Sequence, residues 1–213
     1  MSLYVPEAFA TGDRAVLERL VREYPFATVV TPAAQEPAIS HLPLLLADGD
    51  GNEATLIGHM ARANAHWQVA AGVESIAIFH GPHAYVSPSW YENPAQAVPT
   101  WSYATAHVHG VLEPVADAGE AAAILDLLVA RFEEARPEPW RFAMPEPGRS
   151  ALVGAIVAFR MRVRRVEVKL KLSQNRPVAD RMRVADALGR EGHCGSDAVA
   201  AWMRDYSGIA PKR

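Results

Sequence analysis

The side chains best suited to chemistry crowd into one stretch, His80 to Gly110 (HGPHAYVSPSWYENPAQAVPTWSYATAHVHG). It holds four of the chain's eight histidines (His80, His83, His107, His109) and two of its five tryptophans (Trp90, Trp101). It also holds three of the six tyrosines (Tyr85, Tyr91, Tyr103) and four prolines (Pro82, Pro88, Pro94, Pro99). Rings held between prolines make a stiff, partly apolar platform that can stack on a flat ligand. The same rings would serve as packing if the stretch folds over a core, and composition does not separate the two.

Other chemistries find less support. His80-x-x-His83 and His107-x-His109 are candidate ligand pairs, and alternation along a strand would put His107 and His109 on one face. Zinc sites are completed by a further His, Cys or carboxylate at recognisable spacing, and none stands out. Ser87 and Ser89 lie near histidines, but the chain has no G-x-S-x-G elbow. It has no G-x-G-x-x-G or P-loop either, so a nucleotide cofactor has to be held another way.

Several elements must position this stretch. Met1 to Phe9 reads as an extended arm broken by Pro6. Thr11 or Asp13 can cap a helix whose apolar stripe is Ala15, Val16, Leu17, Leu20 and Val21, ending at Pro25. Phe26–Thr31 reads as a buried strand. After a turn at Pro32–Pro37, Ala38–Leu46 reads as a second strand, with Pro43 at an edge or bulge. Asp48–Asn52 (DGDGN) reads as a hairpin turn and Ala54–His59 as the returning strand of an antiparallel meander. Met60–Ala71 reads as a helix. Gly58 and His59 then sit at its N-terminus, where free N–H groups suit an anion and Arg62 and Asn64 can add donors; an ordinary strand-to-helix junction is the plainer reading.

Glu74–Phe79 and Thr100–Glu113 read as strands flanking the aromatic stretch. Asp117–Arg136 is a helix with Asp117 and Glu120 in capping-box positions. Pro137–Pro147 is an irregular connection. Ala151–Val168 reads as a half-buried strand, with Phe159, Met161 and Val163 opposite Arg160, Arg162 and Arg164. Its alternation slips by one after Arg165, as at a bulge. Arg176–Leu188 and Asp197–Tyr206 read as terminal helices. The expected architecture is mainly β with helices (α+β), an antiparallel barrel of six or seven strands with helical decoration. Residues 1–172 would form the barrel domain and 173–213 a C-terminal helical extension packed on it.

The 213 residues are half hydrophobic and 21% charged, as in an ordinary globular protein. The net charge of −3 hides an asymmetry. From Arg160 to Arg190, ten basic residues face three acidic ones, so this segment carries +7 and the remainder −10. A basic face can attract phosphate on a cofactor or on DNA; a solvated surface is the plainer reading. Cys194 is the only cysteine, which rules out an intrachain disulfide and favours a reducing cytoplasm. No signal-peptide pattern and no apolar run near the ~20 residues of a membrane span is seen, so no membrane association is expected.

A flat aromatic cofactor with a phosphate fits these features. Trp101 and Tyr103 can flank a ring by stacking. Arg62 with the helix N-terminus, or Lys171 from the basic strand, can hold the phosphate. Flavin mononucleotide (FMN) has both parts.

Four blocks carry a resemblance. SHLPLLL (Ser40–Leu46), GHMARAN with Trp67 (Gly58–Trp67), GPHAYVSPSWY with VPTWSY (Gly81–Tyr91, Val98–Tyr103) and KLSQNR (Lys171–Arg176) match the PaiB-type family of FMN-binding negative transcriptional regulators in order and spacing. The resemblance runs from YVPEAF at Tyr4 to the last helix. It implies a flavin split barrel, related to the pyridoxamine phosphate oxidase group, and a homodimer with FMN near the subunit interface. By this resemblance the phosphate falls to His59, Met60 (through its backbone), Arg62 and Asn64. The ring system falls near Thr100, Trp101 and Tyr103, with Lys171, Ser173, Gln174 and Asn175 closing the site. The chain departs from the family pattern at Ser102, where Asn is expected, and at Ala65, where Pro is expected. Neither change removes a charged or aromatic contact.

The resemblance implies transcriptional control, but the residues speak less clearly. A helix-turn-helix needs a basic second helix. The candidate pair in Pro177–Tyr206 has a nearly neutral second helix (DAVAAWMRDY) and a basic first one (VADRMRVADALGR), so any DNA contact would be mainly electrostatic. A flavin-dependent oxidoreductase acting on a small substrate is the competing reading, with His80, His83 and Tyr85 as candidate proton donors. A flavin- or haem-type binding protein without turnover is a third. Catalytic residues are not identified by the sequence.

Overall fold

The structure is a computed structural model that describes residues 3–48, 54–193 and 195–208. Cys194 and most of the expected DGDGN turn lie outside the described residues. The order is β1 (Ala10–Thr11), α1 (Arg14–Glu23), β2 (Phe26–Thr31), β3 (Ala38–Pro43), β4 (Leu45–Asp48), β5 (Ala54–Ala61), α2 (His66–Ala70) and β6 (Glu74–Val86). Then follow β7 (Thr100–Pro114), α3 (Ala118–Glu133), α4 (Gly148–Gly154), β8 (Ile156–Lys171), α5 (Val178–Glu191) and α6 (Ser196–Tyr206). Ladders join the strands in the order β3-β2-β6-β7-β8-β5-β4, with β1 also on β8. Among the described residues, no helix is long and apolar enough to cross a membrane.

The chain divides into two compact units, and β6, β7 and β8 each contribute to both. The first unit comprises Met1–Leu20, His80–His107 and Glu167–Arg213. The second comprises Val21–Phe79 and Val108–Val166.

In the second unit, β2 pairs antiparallel with β3 (Phe26↔Pro43 to Thr31↔Ala38) and with β6 (Thr28↔Ile78). β5 pairs with β4 and, over seven residues from Thr55↔Arg162 to Ala61↔Ile156, with β8. The strand expected over Ala38–Leu46 is two strands. Leu44 interrupts them, its N–H donating to Pro25 O at 2.9 Å and its side chain fully buried. Pro43, which has no N–H to donate, ends β3 at the edge of the ladder order. β2 is alternately exposed and buried rather than buried throughout, with Phe26 at the surface. The helix α3 starts as expected: Asp117 Oδ1 accepts from Glu120 N at 2.8 Å. It packs Ile124 and Leu128 against Ile57 and Ala158. The strand expected to begin at Ala151 begins at Ile156, because residues 148–154 form α4.

The basic outer face of β8 is laced with partners. Arg160 Nε meets Glu120 Oε1 at 2.7 Å, Arg162 pairs with Glu113, and Arg164 lies 3.7 Å from Glu74. Arg165 donates to His109 Nδ1 at 3.2 Å. Three successive exposed residues, 164–166, break the alternation where a bulge was expected.

In the first unit, β1 pairs with the end of β8 (Ala10↔Lys169, Thr11↔Val168). Asp13 caps α1, its Oδ1 accepting from Ala15 N at 2.9 Å. α5 and α6 are joined through Gly192 and Gly195, both at positive φ (65° and 91°), where a side chain would be strained. α6 buries Trp202 and Met203; Arg19 stacks over Trp202 at 4.5 Å and bonds Asp205 at 2.6 Å.

Candidate functional site

The aromatic stretch is not a loop between prolines. Residues 80–86 continue β6 and residues 100–107 open β7, with two short 3-10 turns (Pro88–Trp90, Pro94–Gln96) between the strands. Gly81 lets the strands close: a Cβ there would sit 2.9 Å from Ala104 O. Strand alternation then sorts the side chains of β7. Trp101 and Tyr103 line one hollow, and Thr100 and Ser102 line another.

The first hollow has a volume of about 400 Å³ and is walled by His80, His83, Trp101 and Tyr103 over Gly81, Ala104 and Thr105. Trp101 is 54% exposed. The rings of His83 and Tyr85 lie 6.3 Å from it, the first tilted and the second edge-on. The Nδ1–H of His83 donates to Gly81 O at 3.2 Å, which leaves Nε2 as the basic nitrogen. An exposed indole flanked by two rings fits a flat, partly apolar ring system such as that of a flavin.

The second hollow, about 210 Å³, takes in Thr100, Lys171, Ser173 and Asn175 of the expected site residues, together with Ser102 and Arg176. Lys171 Nζ donates to Thr100 Oγ1 and, at 2.9 Å, to Trp101 O. Gln174 is spent on the backbone: Oε1 accepts from Leu172 N at 2.8 Å and Nε2 donates to Leu170 O at 2.6 Å. It holds the turn in which Ser173 takes a left-handed φ of 64°.

The other four expected residues, His59, Met60, Arg62 and Asn64, belong to the second unit. The helix expected over 60–71 shrinks to residues 66–70, and β5 runs on to Ala61. His59 and Met60 are therefore strand residues opposite Ala158 and Val157, and no helix N-terminus meets Gly58. The reason is register: β5 has seven rungs with β8, and these claim the backbone that a helix would need. Met60 is buried, and the Nδ1 of His59 is buried without a hydrogen-bond partner among the described residues. Burial lowers the His59 pKa below its ordinary value.

Arg62 closes the end of α4. Its Nε donates to Gly154 O at 2.6 Å and Nη2 to Ile156 O at 2.7 Å, while its backbone N reaches Ala155 O at 2.9 Å. Asn64 opens a polar relay that the sequence did not suggest. Its Nδ2 donates to Ser40 Oγ (2.9 Å), which hydrogen-bonds His66 Nδ1 (2.8 Å). His66 Nε2 meets Thr31 Oγ1 (2.8 Å), which meets Ser75 Oγ (2.6 Å), which donates to Val73 O (3.3 Å). One orientation satisfies every group: Ser40 donates to Nδ1, and a neutral His66 donates from Nε2. Burial lowers the His66 pKa, in keeping with that neutral ring. The signal for this role lay in Ser40, Asn64 and His66 of the SHLP and ARANAH blocks, which pattern alone cannot assign to packing or to ligand.

The comparisons with known proteins agree with the resemblance. The family model described as "Putative FMN-binding domain" matches residues 3–165. The protein of Bacillus subtilis (strain 168) called "Protease synthase and sporulation protein PAI 2" is 33% identical over 206 residues, 95% of this chain and 97% of that one. Two solved structures share the fold. The FAD and heme binding protein from Mycobacterium smegmatis has a TM-score of 0.58 at 17% identity, covering 76% of this chain and 73% of its own. The flavocytochrome Anf3 from Azotobacter vinelandii has a TM-score of 0.60 at 12% identity, covering 78% and 72%. The ladders are those of an antiparallel flavin split barrel, and the chain belongs to the PaiB-type FMN-binding family.

Proposed function

We propose that this chain binds FMN as a cytoplasmic homodimer and acts as a negative regulator of transcription. The observation that carries the flavin reading is Trp101, a half-exposed indole beside His83 and Tyr85 at the mouth of a 400 Å³ hollow. Leaving such a cluster open to water is unfavourable unless a ligand covers it. Trp101, Tyr103 and His83 would hold the isoalloxazine ring, and Lys171 would face the phosphate. When bound, FMN supplies a ring that accepts and returns electrons.

The regulatory part leans on the family and on the name of the Bacillus relative, a protease synthase and sporulation protein. The α5–α6 pair is the candidate DNA contact. Its cations are partly engaged: Arg181 donates to Ser207 O, and Arg183 lies 3.8 Å from Glu92. Contact with DNA would therefore be weak and salt-sensitive. His83, with its tautomer set by Gly81 O, favours a second reading as a flavin-dependent oxidoreductase.

The absorption spectrum of the purified protein, before and after adding FMN, is the test. A yellow protein with about one FMN per chain supports the reading. A colourless protein that leaves FMN fluorescence unchanged overturns it. Specific DNA retention against competitor DNA then separates a regulator from an enzyme, which would instead oxidise a nicotinamide cofactor through the flavin.

A further inference from the structure

Lys169, near the end of β8, is a buried cation beside the flavin hollow. Only 7% of it is exposed. Its strand neighbours Val168 and Leu170 are buried too, and Ala10 of β1 pairs with it in the ladder. Burying an ammonium ion is costly unless an opposite charge or several hydrogen bonds offset it. Among the described residues, no carboxylate pairs with this one. Its Nζ donates to the carbonyl of Tyr4 at 2.8 Å and lies 5.4 Å from the ring centroids of both Tyr4 and Tyr103. Those are cation–π distances. Tyr103 lines the hollow with Trp101, whereas Lys169 does not reach it. Tyr4, Tyr103 and Lys169 all belong to the first unit. A charge without a counter-ion thus stands against a residue that walls the hollow.

We infer that Lys169 is a positioning residue of the flavin hollow, whose charge favours the reduced, anionic form of the ring bound there. This role rests on the flavin reading of the hollow. Two-electron reduction of a flavin ring with uptake of one proton leaves one negative charge on it; an external reductant supplies the electrons and water the proton. A nearby cation held away from water lowers the energy of that charge and does nothing comparable for the neutral oxidised ring. Lys171 serves the second hollow and Arg176 stacks on Tyr91, so among the described residues Lys169 is the cation set against Tyr103. The same contact holds the Tyr103 ring in place as a wall. The N-terminal arm completes the arrangement: Tyr4 supplies the carbonyl and the second ring that keep the ammonium in place without neutralising it.

The test is a reductive titration of the FMN-loaded, full-length protein against a reference dye, with dithionite as the reductant. Wild type is compared with Lys169→Gln, Lys169→Arg and Tyr4→Ala, the last at an exposed side chain. Lys169→Gln is expected to cut the preference for reduced over oxidised FMN about tenfold, which moves the midpoint potential roughly 30 mV negative. Lys169→Arg keeps the charge and should hold the wild-type potential. Tyr4→Ala lets water screen the ammonium and should shift the potential the same way by less. A merely structural lysine would lower melting in the Gln and Arg variants alike and leave the potential of the bound flavin where it was. An unchanged potential in Lys169→Gln, or equal shifts in the Gln and Arg variants, overturns the assignment. If Lys169→Gln does not fold, an unchanged potential in Tyr4→Ala overturns it instead. A wild-type protein that binds no FMN removes the flavin reading and this role together; FMN bound with no effect of Lys169 removes this role alone.

Discussion

Two polar constellations in this molecule use similar side chains in opposite ways. In the second unit, Asn64, Ser40, His66, Thr31 and Ser75 satisfy one another and end on a carbonyl, and Arg62 spends its guanidinium on the last carbonyls of α4. In the first unit, Trp101 stands half exposed, and Ser102 and Ser173 line a hollow with Lys171 and Arg176. A satisfied polar cluster rigidifies a fold, whereas side chains that line a hollow stay open to a ligand. The contrast matters because both sit in sequence blocks that look equally functional.

The largest expected effect is on the side that is already closed. Gly110 in β7 lies against β8, where a Cβ would meet Arg162 O at 2.2 Å. Gly110→Ala must push two backbones apart and is expected to cost roughly 3 kcal/mol, read as a lower urea midpoint. A variant as stable as wild type would show that β7 and β8 have slack there. Arg62→Ala comes next. It frees the Gly154 and Ile156 carbonyls and should lower stability by about 2 kcal/mol. Its FMN affinity, measured separately, decides whether Arg62 also serves the phosphate: an unchanged value removes it from the flavin site.

On the open side, effects should appear in binding and not in folding. Trp101→Ala removes an exposed ring, so melting should hold while FMN affinity falls about tenfold, the roughly 1–1.5 kcal/mol of an aromatic pair. Lost stability with unchanged FMN affinity would reverse the roles of the two regions.

Acid should act on the closed side again. The lowered pKa values of His66 and His59 mean that the unfolded chain binds their protons first. Stability from the neutral rings is therefore full above the unfolded value of 6.5 and falls as pH drops towards the folded values. Protonated His66 also presents Nδ1–H to Ser40 Oγ, which already accepts from Asn64, so the relay must reorient. His66→Gln should flatten the slope of urea midpoint against pH below 6.5. An equally steep slope in that variant would assign the titration elsewhere.

Much of the frame was legible. The stripe of Val16, Leu17 and Leu20, the cap at Asp117 and the alternation of Phe159 and Met161 with Arg160 and Arg162 each declare a local structure that the fold keeps. Failures came where a long-range pairing overrode a local pattern. Met60 and Ala61 suit a helix, but seven rungs between β5 and β8 hold them in a strand. Residues 151–154 read as a strand's start, yet they turn as part of α4. In the candidate site, the rings at 101 and 103 were visible as chemistry, while their separation from Thr100 needed the strand's two faces. Arg176 stood in the KLSQNR block and Ser102 in VPTWSY, but nothing local shows that they line one hollow with Lys171.

The smallest effect concerns the basic run that made DNA a candidate partner. On β8 that run is divided among acids: Arg160 with Glu120, Arg162 with Glu113, Arg164 with Glu74. Arg160 and Glu120 are 45% and 40% exposed, so water and salt screen their attraction. A double-mutant cycle on this pair should give roughly 0.2–1 kcal/mol, decreasing as salt rises. A coupling well above that range would mean that this face is shielded from water in the functional protein. A value inside it leaves a mixed-charge strand face with little pull on nucleic acid, and moves the search for a DNA contact to the cations of α5.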